Sequence, residues 1–255
     1  MSDAVLYAVD ADGIAVITIN RPEQRNCLSK DVRDGLRAAW KRFEADATAR
    51  IAILTGSGEK AFCAGGDLKE MVDTGLKVPP RDMFPVPYET LTLSKPTIAA
   101  VNGVAFAGGW MIAQGCDLCV ASTTAKFAIT EVKVGRGSPW AAPLIHMLPQ
   151  RIFMEIVLTG KAITAQRAYE VGLVNRLAEP AALMDTALEL AHEVIEGAPL
   201  SVAAARETVM LSTEMGRAAA LDAAWAAHET AYNSHDAQEG PRAFAEKRKP
   251  QWTGR

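Results

Sequence analysis

The 255-residue chain lacks an excess of charge of either sign: 27 Lys and Arg stand against 30 Asp and Glu, for a net charge of −3. Holding a phosphate backbone needs a basic field, so this balance argues against nucleic acid as a partner. The N-terminus has no basic segment followed by an apolar run and carries Asp3, Asp10 and Asp12 instead. That argues against a secretory signal or an Arg-rich transit peptide and makes the cytoplasm the expected location. Cysteine and histidine are scarce, at four each. Cys116 and Cys119 form a C-x-x-C, but Cys27 and Cys63 are isolated, and His146, His192, His228 and His235 supply no second ligand pair. The thiols therefore read as buried and reduced, and no metal site is expected. Residues 97–116 are uncharged, yet they contain Asn102, Gln114 and four glycines. A lipid-exposed span satisfies its backbone poorly through such a glycine-broken middle, so a buried strand, loop and helix is expected there, with no membrane partner.

Apolar residues make up 49% and charged residues 22% of the chain, as in an ordinary folded globule. Two β-branched segments around Asp12-Gly13 predict a hairpin of Val5–Val9 with Ile14–Ile19. Val32, Leu36, Ala39, Trp40 and Phe43 recur at helical spacing and predict a helix over 29–45, with Ser29 placed to cap it. Short buried strands are expected at 50–55, 97–101, 118–121 and 126–129, with a helix at 108–114. A loop containing Pro79, Pro80, Pro85 and Pro87 is expected to lead into a helix ending at Lys95-Pro96. Beyond Leu177 the pattern turns alanine-rich and helical, over 181–196, 200–215 and 218–233. The expectation is an α/β core over 1–195 with a C-terminal helical region over 196–255.

Gly56-Ser57-Gly58-Glu59-Lys60-Ala61 has the outline of a dinucleotide fingerprint, but Gly65-Gly66 would fall inside the helix that this motif requires. Neither a P-loop nor a G-x-S-x-G elbow is present. Two other glycine turns, at 61–68 (AFCAGGDL) and 105–110 (AFAGGW), each follow a buried strand and precede a helix-compatible stretch. Side by side they could aim two N–H donors at one oxygen as an oxyanion hole; as pattern alone, they could equally be ordinary tight turns.

AFCAGGDLKEM (61–71), KPTIAAVNGVAFAGG (95–109), CDLCVAS (116–122), FAITEVKVG (127–135) and LTGKAITAQRAYEVGLVNRL (158–177) resemble the enoyl-CoA hydratase/isomerase, or crotonase, superfamily. NRPEQRNCLS (20–29) and FAEKRKPQW (244–252) extend the resemblance to both ends. The resemblance implies a crotonase-like spiral of ββα units, with a C-terminal helical region that packs trimers and commonly a dimer of trimers. It implies acyl-CoA thioester substrates and no separate cofactor, CoA being part of the substrate. The two oxyanion donors map to the backbone N–H groups of Gly66 and Gly108. Of the two hydratase glutamates, one maps to Glu131; the other maps to Met111, which cannot move a proton. Ala64, Asp67 and Leu68 match positions that flank the pantetheine and thioester. Gln24, Arg25 and Cys27 match the loop that flanks the nucleotide, and Phe244 and Lys247 match positions that often reach a neighbouring subunit's CoA.

Two departures bear on the reaction. Water addition naturally takes two carboxylates, whereas moving a double bond from C3 to C2 needs one base, so Met111 tilts the resemblance toward a 3,2-enoyl-CoA isomerase. Where the family often has a proline and paired glycines, this chain has Arg136-Gly137-Ser138-Pro139-Trp140, which would put Arg136 and Trp140 near the acyl group. Glu89, with Tyr88 before it, is a candidate replacement acid from the loop. The remaining alternatives are a hydratase, a decarboxylase, a C–C lyase, a thioester hydrolase and a non-catalytic acyl-CoA-binding subunit.

Overall fold

The structure, a computed structural model, describes residues 4–255; Asp3 lies outside the described residues. Strands β1 (Val5–Val9) and β2 (Ile14–Ile19) form the expected antiparallel hairpin, Val5 opposite Ile19 and Val9 opposite Ala15. Asp10 closes its turn by accepting from the N–H groups of Asp12 and Ile14 through Oδ1. Helix α1 (Lys30–Ala45) buries Val32, Leu36, Ala39, Trp40 and Phe43 as its spacing predicts. Ser29 stands at the N-cap but does not cap. Its hydroxyl accepts from Arg21 Nη1 at 2.8 Å, a long-range bond that outcompetes the local one.

The larger sheet runs β1-β2-β3-β5-β7-β10, with β3 (Ile51–Gly56), β5 (Thr97–Val101), β7 (Leu118–Ser122) and β10 (Arg176–Ala178) all in parallel pairing after the hairpin. A smaller sheet runs β4-β6-β8-β9, formed by β4 (Ala61–Cys63), β6 (Val104–Phe106), β8 (Lys126–Ala128) and β9 (Ile163–Thr164). Each long strand thus turns into a short one, and then into a helix or helical turn: β3, β4 and α2 (Leu68–Thr74), then β5, β6 and α3 (Gly108–Gln114). β7 and β8 lead to a 3-10 turn at Glu131–Val134. Parallel pairing of β4 with β6 and of β6 with β8 brings the segments that follow all three to one edge.

Strands buried on both faces explain the unbroken apolar runs. One face packs Trp40, Phe43, Phe62, Trp110 and Phe127. The other packs Ile14, Ile51, Ile53, Ile98 and Val120 against α6 (Leu183–Ile195). Helices α4 (Gln150–Thr159) and α5 (Ala165–Glu170) precede β10; α7 (Pro199–Glu214), α8 (Arg217–Tyr232) and α9 (Asp236–Ala245) complete the tail, α7 packing on α8.

Three findings correct or refine the sequence reading. No helix leads to Lys95-Pro96: the Val86 carbonyl accepts from the N–H groups of Glu89, Thr90 and Leu91 in a tight turn, with Tyr88 at φ 68. Pro85 precedes that turn and Pro87 lies within it, and both disfavour helix. The uncharged run over 97–116 is β5, β6 and α3, and among the described residues no helix is long and apolar enough to cross a membrane. Cys116 and Cys119 are free, buried thiols, and burial pushes the Cys119 thiol up to about 12.

Candidate active site

The two glycine turns meet. Gly65 adopts φ +101, and a Cβ there would lie 2.9 Å from the Phe106 carbonyl oxygen and 3.4 Å from the Gly108 nitrogen. Ala107, before Gly108, holds φ 50 and ψ −123, a conformation costly for a residue with a side chain. Its N–H donates to the Ala128 carbonyl at 2.8 Å, and its own carbonyl accepts from the Met111 N–H, which lock the turn from both sides. Leu28 N–H donates to the Gly65 carbonyl and fixes the other turn. Among the described residues, the N–H groups of Gly66 and Gly108 donate to no protein acceptor. A Cβ on Gly108 would stand 3.6 Å from the Gly66 nitrogen, so two unpaired donors sit together at the start of α3. Met71 Cε and Phe84 Cζ lie over Gly66, and Leu28 Cδ1 lies against Gly108, giving the donors an apolar surround. Unpaired N–H donors in such a setting are suited to charge developing on a carbonyl oxygen.

Glu131 follows β8 and opens the 3-10 turn. Phe106 pairs with Ala128 across β6 and β8, so Gly108 and Glu131 each lie two or three residues beyond matched positions on the same edge. The side chain is buried, at 9% exposure. Trp140 Nε1 donates to Oε1 at 2.8 Å, and Oε2 has no partner among the described residues. Burial pushes the carboxyl above its ordinary range, partly offset by its own backbone N–H and by the indole. A buried acid with one free oxygen can both take and return a proton.

Met111 sits within α3 at 4% exposure and brings no ionisable group to this helix. One turn on, Gln114 Nε2 donates to the Trp140 carbonyl at 2.7 Å, while its Oε1 has no partner. Glu89 lies on the far side of Gln114. Glu89 is exposed, and partial loss of water around its carboxyl pushes it up, offset in part by the nearby Gln114 amide. Glu131, Trp140 and Gln114 therefore form one hydrogen-bonded chain. The first two residues come from the resemblance, Glu89 was a loop candidate, and Gln114 went unrecognised because no spacing pairs it with residue 140. Met71 and Phe84, which cover Gly66, were also missed.

The other expected site residues are placed as follows. Arg136 is braced: Nη1 donates to the Leu76 carbonyl at 2.9 Å, and its N–H donates to the Glu131 carbonyl at 3.0 Å. Asp67 caps α2, Oδ1 accepting from the N–H groups of Lys69 and Glu70, and the Cys27 thiol reaches Oδ2 at 3.7 Å. Ala64 N–H donates to the Arg25 carbonyl, which joins the 24–27 loop to the first glycine turn. Gln24, Arg25 and Leu68 are exposed beside it. Phe244, 87% exposed, and Lys247 lie at the end of α9, and no hydrogen bond or ion pair joins them to the other site residues. No group of three metal-ligating side chains occurs among the described residues.

The enoyl-CoA hydratase/isomerase family matches over residues 10–255. The chain is 37% identical over 251 residues to an (E)-benzylidenesuccinyl-CoA hydratase of Thauera aromatica, covering 94% of this chain and 96% of the relative. It is 38% identical over 252 residues to a carnitinyl-CoA dehydratase of Salmonella paratyphi A, covering 95% of each. The crystal structure of an enoyl-CoA hydratase from Mycobacterium tuberculosis H37Rv superposes with a TM-score of 0.90 at 37% identity, covering 99% of both chains.

Proposed function

The chain belongs to the enoyl-CoA hydratase/isomerase family, and from that premise we propose that it acts on acyl-CoA thioesters through an enolate held by the Gly66 and Gly108 N–H groups, with Glu131 moving the proton. The form we favour is 3,2-enoyl-CoA isomerisation. Glu131 as carboxylate removes a C2 proton from a 3-enoyl thioester, and the electron pair passes to the thioester oxygen, facing the two N–H donors. Return of the proton at C4 moves the double bond to C2–C3. One base serves both transfers. The observation that carries this reading is Met111, apolar and buried in the helix where the family's second carboxylate would stand.

Glu89 supports a second reading. Its carboxyl is pushed up, offset in part by Gln114, one turn from Met111, so it could serve as the second acid of a hydratase. The hydratase and dehydratase named among the relatives favour the same reading. Offering the enzyme 3-enoyl and 2-enoyl thioesters separates the two. Conjugation of the former with slow hydration of the latter supports isomerisation. Fast hydration of crotonyl-CoA, lost in Glu131→Gln and in Glu89→Gln, replaces it with hydration.

Assembly belongs to the same proposal. Val209, Leu221, Trp225 and Tyr232 leave an apolar surface exposed on α7 and α8. We assign residues 196–255 to trimer packing, singly or as a dimer of trimers, on a core over 1–195. CoA would lie against Gln24, Arg25 and Cys27, with Phe244 and Lys247 reaching it from a neighbouring subunit.

A further inference from the structure

We propose that Trp140 is the positioning residue of Glu131, its indole N–H pinning Oε1 so that Oε2 alone handles the proton, and that Gln114 sets the indole by holding the Trp140 carbonyl. The inference rests on the reading of Glu131 as the acid/base.

A carboxylate offers two equivalent oxygens and turns freely unless one is held. Here one is held at 2.8 Å and the other has no partner among the described residues. The two oxygens are thereby made inequivalent. An indole N–H donates only, so Trp140 can neither take the proton nor compete for it. Because it donates to the charged form, it opposes the effect of burial and keeps Glu131 available as a base.

The frame extends to the oxyanion donors. Trp140 is the second residue of the 3-10 segment Pro139–His146, and its carbonyl accepts from Gln114 Nε2 at 2.7 Å. Gln114 ends α3, the helix that begins at Gly108. Gly108, Gln114, Trp140 and Glu131 are thus joined by one short helix and two hydrogen bonds, so the N–H that faces the enolate oxygen and the carboxylate that faces C2 keep a fixed separation. Such fixed geometry is what proton transfer at a bound carbon needs. Among the described residues, no ion pair reaches Glu131: Lys133 on the same turn and Arg151 and Glu155 on the packed α4 make none with it, and the Arg136 guanidinium donates to the Leu76 carbonyl instead.

The test is to follow the Glu131 carboxyl by carbon-13 NMR across pH in the full-length enzyme and in Trp140→Phe, alongside kcat and KM for a 3-enoyl thioester. The expected result is a Glu131 titration at higher pH in Trp140→Phe, an acid limb of kcat/KM that moves with it, and a kcat lower by roughly 10- to 100-fold with KM nearly unchanged, as for loss of one hydrogen bond to a charged group. Trp140→His keeps an N–H donor and is expected to restore part of kcat. Gln114→Leu is expected to shift the titration in the same direction by less, and it keeps the test open if Trp140→Phe does not fold. An unshifted titration in the folded variants overturns the inference, as does a loss of activity borne by KM alone. Glu131→Gln separates the two layers: if it is inactive while Trp140→Phe titrates as wild type, only this inference falls, and if it is fully active both fall.

Discussion

The Gly66 nitrogen lies 3.6 Å from the point that a Cβ on Gly108 would occupy. Two turns far apart in the chain thus share one small space, because β4 and β6 pair in parallel and release their following loops at the same edge. A methyl group on Gly108 would fill that space and meet Leu28 Cδ1 at 2.9 Å, whereas one on Gly66 would point to the flexible end of Met71, at 2.6 Å, with Phe84 Cζ at 4.0 Å. Gly108→Ala is therefore expected to lower kcat/KM by about 10²–10³-fold, the scale of a lost oxyanion donor, and Gly66→Ala by much less. Steady-state kinetics with thermal melting checks both. Gly109→Ala, whose Cβ would stand 2.0 Å from the Cys63 carbonyl oxygen, is expected to fail in folding before it fails in catalysis.

Met111→Glu restores a second carboxylate to α3. The site is 4% exposed, so the substitution is expected to destabilise the fold by roughly 1–3 kcal/mol while raising hydration of a 2-enoyl thioester. Urea unfolding and a crotonyl-CoA hydration assay check the two effects. Unchanged hydration would remove Met111 as the determinant of reaction type.

Glu131 carries a stability signature of opposite sign to most carboxylates. Burial raises its folded pKa above the unfolded value, so its contribution is fully present below the unfolded pKa, about 4.3, and is lost as pH rises through the folded pKa. Glu131→Gln is expected to be more stable than wild type at neutral and alkaline pH, and to lose that advantage in acid. Urea midpoints across pH measure it, and a variant less stable at pH 8 would contradict the account.

Trp225 is 68% exposed on α8, beside exposed Tyr232, with the rings 6.3 Å apart. A large aromatic surface of this kind is characteristic of an interface. Trp225→Asp is expected to shift the mass in solution from trimer or hexamer to monomer, read by light scattering. A wild type that is itself monomeric would contradict the assembly proposed above.

The long elements were legible because their apolar periodicity is strong. Val32 through Phe43 and the β-branched hairpin state their own geometry. Short strands such as β4 and β9 were not, since two or three residues carry no period, and only their partners in the second sheet make them strands. At the site, two glycine turns suggest donors, but Glu131 taken alone looks like a surface charge; the resemblance singles it out, and in the structure it is buried and held by Trp140. Gln114 shows the limit: its partner is a main-chain carbonyl 26 residues away, and no local pattern announces it. The turn at Tyr88 was misread as helix because a left-handed residue leaves no mark in composition.

The most direct measurement of the central claim is hydrogen–deuterium exchange at C2 of a bound acyl-CoA in D2O, followed by mass spectrometry for wild type and Glu131→Gln. The account predicts deuterium at C2 with the wild type and none above background with Glu131→Gln. Equal exchange by both proteins would contradict it.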